Sequence, residues 1–224
     1  MEQEGKKWGT ELINLGNDFK IEIKIEDWIK MWRMRVLRLM LTRIKEFFFK
    51  ISLRWYLTPV ELNIINPIYP KACWKCDEEI GTYFHMWWEF KVGKKFWELI
   101  FKEMCDIFGK DIDFNAKIAL LSIFDNTDLD YYSKELITNF MTSARILITR
   151  FSKDKNDIKI EDWYSELWDI ALNDKLTIEL KIKRGEISPN KFYDIWGKFV
   201  EFVLVKGRGK ASKEYSIQFW RGSP

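Results

Sequence analysis

The chain has 224 residues, 47% apolar and 17% aromatic, with 12 Trp but only 5 Pro and 11 Gly. That apolar share supplies a sizeable core and excludes wholesale disorder, while the scarcity of turn-formers excludes a loop-rich, many-turned β chain. With a net charge of +3, 3 Cys and 1 His, a paired disulfide framework is excluded, and so are most acid–base or triad schemes unless the lone His85 serves.

The first fourteen residues, MEQEGKKWGTELIN, are polar and carry no secretory pattern, and no stretch is long and apolar enough to span a membrane. The expectation is a soluble protein of a reducing, intracellular compartment. Residues 1–25 read as an irregular lead-in. Within them Lys20 to Ile25 alternates at period two, as a short strand or an extended approach would.

A helix is expected from Glu26-Asp27-Trp28, where the two acids face the positive end of its dipole. Trp32, Val36, Met40, Ile44 and Phe48 recur every four residues as the apolar face of one long helix, which ends before Thr58-Pro59. Between Trp28 and Arg54 stand eight basic residues (Lys30, Arg33, Arg35, Arg38, Arg43, Lys45, Lys50 and Arg54) against one acid, Glu46. That segment carries +7 in a chain of net +3, so the rest sums to −4. Such asymmetry points to a polyanionic partner. Arg35, Arg38 and Lys45 lie opposite the apolar face, and Arg33 and Arg43 flank it. The segment is either a solvated basic face or a phosphate-contacting one, and its richness in Arg suits phosphate. Trp55 and Tyr56 follow Arg54; aromatics there can stack on unpaired bases or anchor a core, and Trp55 is expected in the core.

Asn66 to Pro70 is a turn-rich link into an irregular segment ending at Phe90. Here Cys73 and Cys76 form a Cys-x-x-Cys, and His85 follows after eight intervening residues. Two thiolates from one tight turn and an imidazole are three of the four ligands of a tetrahedral zinc. The fourth position falls on Phe90, which ligates nothing; Glu89, or Cys105 from the next helix, could close the site. Alternatively the two cysteines are small packing residues, held with Trp74, Trp87 and Trp88.

Lys91 to Phe108 reads as a helix stopped by Gly109, with Phe96, Ile100, Met104 and Ile107 on one face and Cys105 as a buried thiol. A short apolar segment (116–124), an acidic turn (125–130) and a helix over 132–151 follow. A further helix runs through Trp163, Leu167 and Ile170; Leu176 to Ile187 fits strand or helix, and helix is chosen from its neighbours. Ser188-Pro189 caps the last helix, with Phe192, Ile195, Trp196, Phe199 and Val203 inward, before a flexible basic tail over 206–224. The fold class is all-α: a multi-helix domain over 26–205 with a small zinc-knuckle-like insert at 66–90.

The run from Cys73 to Phe90, CWKCDEEIGTYFHMWWEF, resembles the cysteine–histidine segment near the C-terminus of the second open reading frame protein of vertebrate LINE-type non-LTR retrotransposons. Cys73, Trp74, Cys76, Gly81, Thr82, His85, Trp87 and Trp88 stand in register with that family's pattern, and its final Cys falls on Phe90. RWYLTPVEL upstream, with ALLSIFD, TNFMTSARILITR, EDWYSELWDIALNDKLT and FYDIWGKFVEFVLVKG downstream, extend the resemblance over roughly residues 26–206. It implies the region beyond a reverse transcriptase's polymerase, which holds the element's RNA. The family's endonuclease and polymerase palm are not matched, and no Asp-Asp dipeptide occurs. The expected function is therefore non-catalytic binding of RNA or single-stranded nucleic acid, with zinc as the implied metal. The alternative is a stranded element fragment that is inactive or contacts only protein.

Overall fold

The computed structural model describes residues 2–36, 42–125, 128–153 and 157–206. The side chains of residues 2–9 and 33–36, and of Lys206, lie outside that description. The described elements are helical: α1 (Glu2–Asp18), α2 (Ile25–Val36), α3 (Thr42–Ser52), α4 (Pro59–Ile65), α5 (Lys91–Phe108), α6 (Tyr131–Arg150), α7 (Ile160–Lys183) and α8 (Lys191–Lys206), with π turns at His85–Glu89 and Lys117–Leu121. Among the described residues the β structure is one isolated antiparallel bridge, Ala72 to Ile80. No helix among them is long and apolar enough to cross a membrane.

Helices α5 to α8 pack on one another, with α6 against α5, α7 and α8. Spacing explains why. Phe96, Ile100 and Met104 of α5, Phe140, Ala144 and Leu147 of α6, and Trp196, Phe199 and Val203 of α8 recur at three and four residues and are all buried. Phe140 meets the Trp163 ring at 5.3 Å and the Phe199 ring at 5.7 Å, both edge to face. Two of the indole N–H groups buried in this layer find acceptors: Trp163 Nε1 donates to the Phe140 carbonyl (3.1 Å) and Trp196 Nε1 to Asp174 (3.2 Å).

Arg145 of α6 is 1% exposed. Its guanidinium donates to the Leu120 carbonyl (2.6 Å) and to Ser122 Oγ (3.2 Å), so it fastens the π turn Lys117–Leu121 where Ser122 takes a left-handed φ of 52°. The apolar segment at 116–124 is thus a π turn tied to the core by an arginine.

Several expectations need correction. The N-terminal stretch is helical over Glu2–Asp18, because Leu12, Leu15 and Phe19 present an apolar stripe that packs on the core. Ile21 to Lys24 is a connector that belongs to no strand. The last helix starts at Lys191, since Ser188 Oγ and carbonyl take the N–H groups of Asn190 and Lys191 in a preceding turn. The chosen helix for Leu176 onward is found, as the tail of α7. The long-helix expectation bridges residues 37–41, which lie outside the described set, as does the basic tail beyond Lys206.

Candidate metal centre and basic face

The segment from Lys71 to Gly81 folds back on itself as a narrow hairpin. Cys73 N donates to the Glu79 carbonyl (2.8 Å) and Gly81 N to the Lys71 carbonyl (2.8 Å). The tip is closed by Asp77 N donating to the Cys73 carbonyl at 2.9 Å, with Asp77 in the left-handed region at φ 57°. Asp is among the few non-glycine residues that tolerate that conformation. Gly81 anchors the hairpin: a Cβ there would lie 2.4 Å from Pro59 Cγ, so only glycine lets the hairpin close on the start of α4. That start is fixed in turn by a capping box between Thr58 and Glu61.

This turn places both sulfurs on one side, and the π turn brings the imidazole to them. One ligand atom from each of Cys73, Cys76 and His85 lies within 4.8 Å of the others. Cys76 Sγ and His85 Nε2 are 3.5 Å apart. A tetrahedral centre with Zn–S about 2.3 Å and Zn–N about 2.0 Å holds sulfur and nitrogen about 3.5 Å apart, so that pair needs no rearrangement.

The surroundings favour ligation. The Lys75 backbone N–H donates to Cys73 Sγ at 3.4 Å, which stabilises a thiolate more than a thiol. Burial pushes the Cys73 thiol above its ordinary value, against the pull of the Cys76 and Lys75 backbone N–H groups. Glu79 Oε2 stands 3.0 Å from His85 Nδ1. The direction of approach falls short of a hydrogen bond, but the Glu79 side chain is 69% exposed and free to turn into line. A carboxylate on Nδ1 is the arrangement that leaves Nε2 to a metal.

The fourth position behaves as its side chain dictates. Phe90 is a core residue, 2% exposed, and its ring lies over Gly93, where a Cβ would stand 2.2 Å from Phe90 Cε1. Neither proposed substitute closes the site. Glu89 pairs with Lys20 at 3.2 Å, and Cys105 takes the Ile112 backbone N–H at 3.3 Å, half-buried within α5. The insert is also less irregular than expected, since Tyr83 and Phe84 already lead helically into the π turn.

The basic residues divide. Arg54 donates to Asp18 (3.1 Å) and Glu11 (3.4 Å), which ties the basic segment to α1 and holds Arg54 at φ 53°. Arg43 pairs with the buried Glu166 at 3.3 Å, and Arg150 reaches the same carboxylate at 2.8 Å. Both arginines are therefore engaged within the fold, though Arg43 keeps about half of its side chain exposed. Lys45 is exposed on α3. Arg38 lies outside the described residues, as do the side chains of Arg33 and Arg35.

The expectation of a core position for Trp55 is overturned: it is 68% exposed. Arg54 turns left-handed just before it, and its neighbour Tyr56 packs instead, against Phe47 at 5.9 Å and Trp87 at 5.8 Å. Beside the knuckle, Tyr56, Trp74, Trp87, Ile148 and Lys153 border a mostly apolar cavity of about 300 Å³. Lys153 Nζ stands 5.3 Å from the Trp74 ring centre. Neither Glu79, Met86 nor Lys153 was singled out from the sequence: Met86 adjoins His85, but nothing in the spacing marks any of the three. Scanned against protein-family models, the chain matches none.

Proposed function

We propose that this chain is a non-catalytic RNA-binding region of a LINE-type reverse transcriptase protein, with a metal-binding knuckle of Cys73, Cys76 and His85 to which zinc is the ion the resemblance implies. What supports the RNA reading most is the aromatic cavity against the knuckle, with the Lys153 ammonium at the face of Trp74. An unpaired base fits an apolar aromatic cavity of this size, and a cation beside it answers the phosphate. Trp55, exposed at the end of the basic segment, offers a second stacking surface, and Lys45 a further phosphate contact.

The resemblance supplies the choice of RNA and of ancestry. The non-catalytic reading is supported by the chain's single histidine, His85, standing in the Cys73–Cys76 cluster. Bound zinc would supply a cross-link between the hairpin and the π turn. The protein's own part is to bring two sulfurs and one nitrogen together.

Fluorescence anisotropy with a single-stranded RNA at two salt concentrations tests the reading. Binding should weaken as salt rises, and Trp55→Ala should cost about 1–3 kcal/mol if a base stacks there. No binding at low salt sinks it. The alternative, a fragment that contacts only protein, draws on the exposed apolar side chains of Ile64 (75%), Ile68 (82%) and Ile80 (61%) on and after α4. Absence of RNA binding, with concentration-dependent assembly abolished by Ile68→Ser, would favour it.

A further inference from the structure

The knuckle contains a fourth donor that lies outside the Cys/His pattern. Met86 directly follows His85 in the π turn and is 8% exposed. Its thioether sulfur is 3.4 Å from Cys73 Sγ, which donates its proton toward it. The donors thus form a run of close neighbours: His85 Nε2 to Cys76 Sγ at 3.5 Å, Cys76 to Cys73 within 4.8 Å, and Cys73 to Met86 Sδ at 3.4 Å. In a tetrahedral centre with metal–sulfur bonds of about 2.3 Å, neighbouring sulfurs stand about 3.8 Å apart, so Met86 is at donor spacing from Cys73.

We infer that Met86 supplies the fourth ligand and that the resulting set, two thiolates, one thioether and one imidazole, selects Cu(I) over Zn(II). This rests on the metal-binding reading of the same cluster and goes beyond it in donor and in metal.

Three observations carry it. The other candidates are occupied: Glu89 with Lys20, Cys105 with Ile112, and Phe90 in the core. Met86 Sδ already lies 3.4 Å from Cys73 Sγ, so the thioether reaches the cluster on the side where Cys73 stands. The donor chemistry is soft. A neutral thioether is a poor zinc ligand, and structural zinc sites close with four cysteine or histidine donors, whereas thiolate and thioether sulfur together suit Cu(I). The nearby carboxylate Glu79 stands 3.0 Å from the far nitrogen of His85, on the side away from the sulfurs. Binding releases the two thiol protons to solvent, and no electron is transferred.

The test uses the full chain, reduced and anaerobic. Cu(I) is titrated against bathocuproine disulfonate and Zn(II) against a chromophoric zinc chelator, for the parent and for Met86→Leu. Leucine is a near-isosteric replacement that keeps the core filled. The expected result is a Cu(I) affinity reduced by about tenfold or more in the variant, at least the loss typical of a supporting contact, with a much smaller change for Zn(II). Copper X-ray absorption of the parent should count three sulfur neighbours and one nitrogen. Unchanged Cu(I) affinity in Met86→Leu, or only two sulfurs in the parent, overturns the inference while leaving metal binding intact. A chain that takes up neither metal overturns both. Should the variant fail to fold, the sulfur count in the parent decides.

Discussion

Phe90→Cys puts a thiol at the sequence position where the resembling pattern carries its last cysteine, and its effect has two parts of opposite sign. The ring is 2% exposed and lies over Gly93, with Lys75 Nζ 5.1 Å from its centre, so its removal empties core volume. Phe→Ala in a core costs about 3–5 kcal/mol, and a thiol refills part of the space, which leaves a loss of about 2–4 kcal/mol. In a domain of this size each kcal/mol moves the thermal midpoint by about 2–4 °C, so the metal-free variant should melt about 4–16 °C below the parent. Zinc then works the other way. With two cysteine sulfurs already gathered near His85, a third closes a conventional four-ligand site, and free metal at about a thousand times the dissociation constant returns about 4 kcal/mol. Scanning calorimetry with zinc and with a chelator separates the two parts. The variant should melt well below the parent in chelator and near it in zinc, whereas the parent itself should move little between the two. Identical midpoints for the variant in both buffers would show that a thiol at 90 cannot reach the cluster.

Gly93→Ala should destabilise the parent by about 1–3 kcal/mol, because its Cβ would press into the Phe90 ring. In the Phe90→Cys background the sign should reverse toward the ~0.8–1.0 kcal/mol that Ala gains over Gly inside a helix; a double-mutant cycle by urea melts checks this, and additive effects would refute it. Burial raises the Tyr83 and Tyr56 phenols above their ordinary value, so the folded chain holds those protons more tightly than the unfolded one. Their contribution is full below about pH 10, the ordinary phenol value, and is lost as pH rises beyond it; Tyr83→Phe should flatten that alkaline decline in a pH series of thermal midpoints. Asp130 caps α6 by accepting from the Ser133 N–H at 2.9 Å and the Ser133 hydroxyl at 2.6 Å, which hold its carboxyl below the usual range. Asp130→Ala should cost about 1 kcal/mol at neutral pH, and less as pH falls below the ordinary carboxylate value. Arg54→Ala should lower the melting point while leaving the salt dependence of RNA binding in place, and Lys45→Ala should do the reverse, reducing the slope by about 0.7; equal slopes for parent and Lys45→Ala would remove Lys45 from the interface.

Helix positions were legible wherever the apolar period ran uninterrupted. Lys91–Phe108 is found as read, because its stripe is clean and Gly109 at φ 63° stops it. The start at Glu2 was missed because a polar stretch interrupted by Gly5 and Gly9 shows no strong local preference; Leu15 and Phe19 are buried only because the rest of the chain offers them a core. Trp55 was misplaced for a related reason. With so many tryptophans a core position was the better wager for any one, yet a left-handed residue before it turns the chain, and backbone sign does not show in composition. The basic segment illustrates the limit of counting charge. Its +7 suggested a phosphate face, but Arg43 and Arg54 answer acids 123 and 36 residues away in sequence, which no local pattern displays.

The cluster itself was legible because a Cys-x-x-Cys turn followed by the chain's single histidine is a metal-ligand spacing; what the pattern hid is how the knuckle holds its shape. In a zinc finger the metal supplies the folding energy, since little else binds the turn to the helix. Here the hairpin is closed by its own backbone bonds, Gly81 packs on Pro59, and Tyr83 and Trp87 are buried against Phe19, Tyr56 and each other. Phe90, where the resembling family has a ligand, adds a buried ring to that packing. A site supported this way can give up a metal without unfolding, and it can exchange a demanding four-ligand ion for one content with a softer, weaker fourth donor. That freedom is what makes Met86, rather than a residue of the cysteine–histidine pattern, the donor on which metal choice turns.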